Sequence, residues 1–237
     1  VHGNRNPRPV DGGWGDIGPL CRMTGFPQFR PVAEHGLLVE FGDRLNEASH
    51  AAVLRLDRAL AAQPFPGFTE AVPAYVNLLV RFDPLVIDHA GVENALRALL
   101  LAAPTATQTG ALRSVDVVYD GADLAEVATR TGLTPDQVIA THLAGDYSVA
   151  LYGFAPGYAY LSGVPKAIAL PRKEVAVRGV AAGSVIIAAG QCIVTTLTMP
   201  TGWWIIGHSP TVILDPQAAR PFLFDVGDRV EFRRVAP

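Results

Sequence analysis

Cysteine is almost missing from this sequence. Cys21 and Cys192 are the only two in 237 residues, and they lie far apart, one in a glycine- and proline-rich N-terminal stretch and one in an apolar run. Two such residues make no disulfide framework, and a reducing, cytoplasmic setting is expected. A basic excess is missing as well. The net charge is −3, whereas a surface for duplex nucleic acid needs clustered surplus cations, so nucleic acid is not expected as a partner. The six histidines show no metal-ligand spacing, and no metal is expected. Neither a Walker A loop nor G-x-G-x-x-G occurs, so no nucleotide cofactor is expected on this chain. G-x-S-x-G is absent too, and Ser184 in Ala182-Gly183-Ser184 is therefore not a nucleophile elbow. The opening residues VHGNRNPRPVDGGWGD carry no apolar core of secretory-signal length.

One long stretch lacks charge altogether. Residues 179–207 contain no Asp, Glu, Lys or Arg. A membrane-spanning helix needs ~20 apolar residues without breakers. This stretch carries Gly183, Gly190, Pro200 and Gly202, with Thr195, Thr196 and Thr198. Backbone groups freed by those breakers would find no partner in lipid. Hairpins in a packed barrel are expected instead, and no membrane.

What remains is an ordinary globular composition, 49% apolar, in a chain long enough to bury roughly 70% of its unfolded surface. Residues 1–28 hold glycine, proline and asparagine without periodicity and read as a flexible tail. Residues 29–103 read as a first unit. In it, Asn46 caps a helix with Val53, Leu56 and Leu60 on one stripe. Strands are expected at 37–41, 68–72 and 75–82, the last with period-two alternation, and a second helix at 90–102. The order βαββα suggests a ferredoxin-like α+β half-sandwich. Residues 104–113 read as a linker and 114–237 as a second unit. This second unit begins with a strand at 115–119, followed by two short helices. Asp123-x-x-Glu126 is a capping-box variant, and Thr134-Pro-Asp-Gln137 is a capping box with proline at the first helical position. Beyond Tyr147 only strands and turns are expected, at 147–154, 184–188, 193–197, 203–206, 212–214 and 230–232, the pattern of a barrel or sandwich.

Several constellations could carry chemistry, each with a structural alternative. Phe154-Ala155-Pro156-Gly157-Tyr158 is a type II turn between aromatics. It is either a hairpin corner or a rim loop offering backbone N–H groups and aromatic walls to a small polar ligand. Arg172, Lys173 and Arg178 lie in one short segment. They are either solvated surface cations or a carboxylate- or phosphate-binding set. Gln191 either bonds a turn backbone or sets a neutral amide over the barrel mouth, donating and accepting at once. His142, near the end of a short helix, is placed where the dipole favours the protonated form, and is the acid/base candidate. His208 is a second histidine able to reach a rim. Cys192 reads as a small buried hydrophobe. Trp203 and Trp204 are adjacent and, on a strand, face opposite sides.

Six blocks in series, VPAY…LLVRFDP at 72–84, GFAPGYAYL at 153–161, LPRK at 170–173, AAGSVIIAAGQ at 181–191, PTGWWIIGHSP at 200–210 and FDVGDRVEF at 224–232, resemble the KipI/PxpB family, also called allophanate hydrolase subunit 1. The resemblance implies an N-terminal α/β domain followed by a cyclophilin-like β-barrel. It implies a subunit, inactive alone, of an allophanate hydrolase-like or 5-oxoprolinase-like complex acting on an amide, urea or lactam. The partner would be a second cyclophilin-like subunit of the allophanate hydrolase subunit 2, KipA or PxpC type. ATP would be required by the complex rather than bound here. Related chains form the carboxyltransferase part of urea carboxylase. Another branch inhibits a sensor histidine kinase, and that is the alternative function. By position, the family's substrate loop falls on Phe154, Pro156, Gly157 and Tyr158, and its arginine segment on Arg172 and Arg178. Its small-residue turn falls on Gly183 and Ser184, and its glutamine on Gln191. His142 and Gln191 are the catalytic candidates. The chain departs from the family at Cys192–Thr196, where T-G-I-Y-P is usual, at Val177 in place of a proline, and at Gly207-His208-Ser209-Pro210 in place of G-R-T-P.

Overall fold

The computed structural model describes residues 25–102 and 110–236. Most of the expected tail and linker, with Cys21, therefore lies outside the described residues. The first layer runs β1 (Gln28–Val32), β2 (Gly36–Glu40), α1 (Glu47–Ala62), β3 (Phe68–Pro73), β4 (Asn77–Phe82) and α2 (His89–Ala102). Its sheet has the order β1-β2-β4-β3, with every pairing antiparallel. Asn46 starts α1 as expected: its side chain accepts the Ser49 N–H at 2.8 Å. Val53, Leu56 and Leu60 of α1 and Val92 and Leu96 of α2 pack on Leu37, Val39, Leu78, Val80 and Phe82 of the sheet, all buried. The extra strand β1 is an exposed edge strand containing Pro31, a place where proline is tolerated because its missing N–H is not needed. It adds a sixth element to the expected βαββα order.

The second layer contains β5 (Leu112–Val117), α3 (Leu124–Thr131), α4 (Pro135–Leu143), β6 (Tyr147–Tyr152), β7 (Ala159–Ser162), β8 (Val177–Val180), β9 (Ser184–Ala188), β10 (Gln191–Val194), β11 (Met199–Thr201), β12 (Trp204–His208) and β13 (Arg229–Arg234). Seven of these strands form one sheet in the order β12-β9-β10-β7-β6-β13-β5. Val118 and His208 then exchange backbone hydrogen bonds at 2.8 and 2.9 Å, which joins the two ends of the sheet. The result is a nearly closed barrel, with β8 and β11 forming a separate two-stranded arm. Only β5 and β13 pair in parallel. The chain is thus mixed α+β.

The uncharged stretch has a direct explanation. All five residues of β9 are buried. Val185 and Ile187 point into the barrel, with Cys192, Val194 and Trp204. Ile186 and Ala188 face outward and pack with Ile193, Tyr158 and Trp203. A sheet covered on both faces reads as a continuous apolar run. The adjacent tryptophans divide between the two faces, as their spacing requires.

Some local expectations are corrected. Thr134 makes its full capping box, but Asp123 makes no side-chain cap. Its carboxylate instead takes an ion pair from Lys173 and the Ile205 N–H at 2.7 Å, both contacts from distant parts of the chain. The expected strand at 212–214 is reduced to a single bridge between Leu214 and Phe222. The strand expected at 193–197 starts at Gln191 and ends at Val194. Ala189 and Gly190, with φ of 48° and 83°, close the preceding hairpin in two residues.

Candidate functional site

Val115, Val149, Leu161, Val185, Ile187 and Trp204 are among the buried side chains packed inside the barrel. A cavity of about 130 Å³ lies on the outer face of the sheet. The buried Ile186 and Ile193 line it together with Phe154, Tyr158, Tyr160, Arg172, Pro200, Thr201, Gly202 and Trp203. The Arg172 guanidinium lies 5.4 Å over the Trp203 ring. Stacking of this kind orients a guanidinium while leaving its N–H edge for an anion.

The aromatic side is built by a tight loop. Tyr158 N–H donates to Ala155 C=O at 3.1 Å, and Gly157 has φ 74°. This is the expected type II turn across Pro156 and Gly157. A Cβ at Gly157 would come 2.9 Å from the Thr196 methyl, so both the dihedral and the space require glycine. Phe154 carries the strain. Its φ is 73°, in the left-handed region, and Ala155 N–H donates to Gly153 C=O across it at 2.9 Å. A bulky residue there costs on the order of 1–3 kcal/mol and persists only where its surroundings hold it. Phe154 is nevertheless 75% exposed, touching Tyr158 edge-on at 5.6 Å. Burial raises the Tyr158 pKa, with Tyr160 adding to the shift, so the phenol stays a neutral donor.

Gln191 lies at one end of this face, on the same side of β10 as Ile193. Its Nε2 donates to the Tyr75 hydroxyl at 2.6 Å. Tyr75 belongs to the first layer, and its pKa is raised by burial against the opposing effect of the Gln191 hydrogen bond. The N-terminal layer therefore meets the outer face of the sheet beside the cavity, although neither Tyr75 nor Gln191 lines it, a contact that sequence spacing gives no means of seeing.

Other expected site residues lie elsewhere. Arg178 is exposed on β8 and does not line the cavity. Gly183 and Ser184 form the turn into β9. Gly183 N–H donates to Thr195 C=O at 2.6 Å, and the Ser184 hydroxyl to Ala181 C=O at 2.8 Å. Neither lines the cavity. Lys173 is committed to Asp123, and His208 pairs with Asp120 at 2.8 Å on the surface.

His142 requires the largest correction. It is fully buried inside the barrel, not at a helix end open to solvent. Tyr119 Oη lies 2.8 Å from Nδ1 and Cys192 Sγ 3.6 Å from Nε2. Burial pushes the His142 pKa down to about 3 and the Cys192 thiol well up. Desolvation outweighs the helix dipole, and both groups are neutral packing elements on the far side of β10 from the cavity.

A larger cleft, about 570 Å³, separates the two layers and is lined by Asp57, Arg58, Tyr152, Phe222 and Asp228 among others. None of the expected site residues lines it. Among the described residues, no group of His, Cys, Asp and Glu could hold a metal ion. No helix among them is long and apolar enough to cross a membrane.

Known proteins resemble this chain in sequence and fold. The family described as carboxyltransferase domain, subdomain C and D, matches residues 27–224. The B subunit of the 5-oxoprolinase of Bacillus subtilis (strain 168) is 34% identical over 231 residues, covering 90% of this chain and 95% of that protein. The solved structure of TTHA0988 superimposes with a TM-score of 0.77 at 35% identity over 85% of this chain, which spans only 40% of that longer chain. The Kluyveromyces lactis urea carboxylase shares the fold, with a TM-score of 0.66 at 16% identity over 88% of this chain and 22% of its own.

Proposed function

The chain belongs to the carboxyltransferase domain, subdomain C and D, family, and on that premise we propose that it is one subunit of a 5-oxoprolinase-like or allophanate hydrolase-like complex acting on a small amide, urea or lactam. The observation that carries this reading is the outer-face cavity, where the Arg172 guanidinium is stacked on Trp203 beside Tyr158 and Tyr160. Such a guanidinium takes a ligand carboxylate in bidentate fashion. The aromatic walls take a flat ring, and the Gln191 amide beside the cavity, its Nε2 already bonded to Tyr75, offers Oε1 to a ligand N–H. Phe154 and Tyr158 supply the wall, carried by the turn that Pro156 and Gly157 make, and Arg172 supplies the anion contact.

No side chain lining the cavity is suited to take or give a proton near neutral pH: the set is one arginine, two phenols, one hydroxyl and apolar groups. In this reading the chemistry is completed from outside this chain. We assign that part to a second cyclophilin-like subunit, of the allophanate hydrolase subunit 2, KipA or PxpC type, with ATP consumed elsewhere in the complex. The exposed, strained Phe154 fits a face that another subunit covers. In this reading the first layer, within residues 29–103, is ferredoxin-like and residues 114–237 form a cyclophilin-like barrel, joined by a linker at 104–113, in a cytoplasmic complex. Co-expression with the partner subunits and an assay of 5-oxoproline-dependent ATP hydrolysis tests the proposal. Turnover that requires this chain supports it; no turnover with every subunit present overturns it.

A further inference from the structure

Tyr75 reaches Gln191, beside the cavity, from the other layer of the molecule. It stands in the turn between β3 and β4, which Ala74 closes by donating its N–H to Asn77 C=O at 2.8 Å. Its ring lies against His50 of α1, with centroids 6.0 Å apart. The Tyr75 hydroxyl accepts from Gln191 Nε2 at 2.6 Å across 116 residues of chain. Gln191 does not itself line the cavity, but it shares its outward face of β10 with Ile193, which does, as does Tyr160 of the neighbouring strand β7.

An unrestrained glutamine can present either its oxygen or its nitrogen to a ligand. With Nε2 committed to Tyr75, the amide is held in one of its two flips. Oε1 is left to accept, and the Tyr75 hydroxyl, having accepted, keeps its own proton to donate. We propose that Tyr75 is a positioning residue of the site: it fixes the Gln191 amide so that Oε1 accepts from a ligand N–H, and the N-terminal layer thereby sets the preference for an amide over an ester. This inference rests on the functional reading above and names what selects the substrate within it.

The test uses the assembled complex with Tyr75→Phe, Gln191→Ala and the double variant. Tyr75→Phe is expected to raise KM for 5-oxoproline about fivefold, the weight of one neutral hydrogen bond, with kcat within about twofold. The double variant is expected to match Gln191→Ala, because Tyr75 acts only through Gln191. The lactone analogue, which has an ester oxygen in place of the ring N–H, is expected to inhibit wild type and Tyr75→Phe equally. An unchanged KM, additive effects in the double variant, or an equal loss of lactone binding, the mark of a mere strut between layers, would each overturn the inference. Should Tyr75→Phe fold poorly, amide exchange in the isotope-labelled wild-type chain decides. One Gln191 side-chain proton protected from solvent supports the inference, and free exchange of both overturns it. An inactive wild-type complex would remove the functional reading and this inference together, whereas an active complex indifferent to Tyr75→Phe would remove this inference alone.

Discussion

Acidification from pH 7 to pH 5 is expected to destabilise the protein through a single buried imidazole. His142 is fully buried, its ring set among Tyr119, Tyr147 and Phe232 with centroid distances of 5.7, 5.2 and 4.7 Å. No carboxylate is among these contacts to balance a positive charge, and its pKa falls to about 3 from an ordinary 6.5. In the unfolded chain the same ring titrates near 6.5. Below that pH the unfolded state binds a proton that the folded state refuses. The stabilisation is complete above the unfolded pKa and is lost as pH falls towards the folded one. Between pH 7 and pH 5 the loss from this residue is about 2 kcal/mol, and it reaches roughly 4 kcal/mol by pH 3. The assay is urea unfolding at both pH values for wild type and His142→Gln. The variant starts less stable, since it disturbs the Tyr119 contact, but its further loss on acidification is expected to be smaller than that of wild type by about 2 kcal/mol. His50, whose pKa burial also lowers, contributes equally to both proteins and cancels in the difference. Equal losses in the two proteins would refute the assignment of the buried, neutral state to His142.

Two substitutions separate the site from the scaffold. Arg172→Ala is expected to reduce turnover in the complex at least tenfold, chiefly through KM, while costing only about 0.5–1 kcal/mol of stability, the worth of an exposed stacking contact; a large fall in Tm with kinetics intact would make Arg172 structural. Lys173→Met is expected to behave in the opposite way. It leaves the part-buried Asp123 carboxylate with the Ile205 N–H, at a cost of about 1–3 kcal/mol, and a Tm equal to wild type would refute it.

The contrast between these adjacent cations shows where sequence reading stops. Arg172 and Lys173 look alike in the sequence, yet one lines a cavity and the other pairs with Asp123, whose carboxylate also ties the α3 start to β12. Only the tertiary path that brings Asp123 beside Ile205 separates them. The same path took Asp123 away from its local role as a helix cap. Signals satisfied within a few residues were legible: the Thr134 box, the Asn46 cap, and the turn across Pro156 and Gly157. So was the face-alternating pair Trp203 and Trp204. Strands β8 and β11 were not, because each is short and pairs only with the other. Strand β7 was masked by the aromatic loop that leads into it. His142 does stand in the last turn of α4, as its position in the sequence suggests, but the favoured protonation does not follow, because helix-end logic takes no account of the barrel wall closing over it, and desolvation there exceeds anything a two-turn helix dipole supplies.

The alternation along β9 and β10 carries the wider consequence. One set of side chains, Val185, Ile187, Cys192 and Val194, fills the barrel. The set between them, Ile186, Ala188 and Ile193, floors the outer surface on which Tyr158 and Trp203 stand. A one-residue slip of either strand would exchange the two sets. The exchange would place Cys192 in the cavity floor and push Ile193 against His142. Stability and binding therefore impose the same register, and the two-residue turn at Ala189 and Gly190 enforces it. This is why Gln191, the first residue after that turn, is held where the N-terminal layer can reach it. A change that lengthened the turn would release both the strand register and the Tyr75 contact.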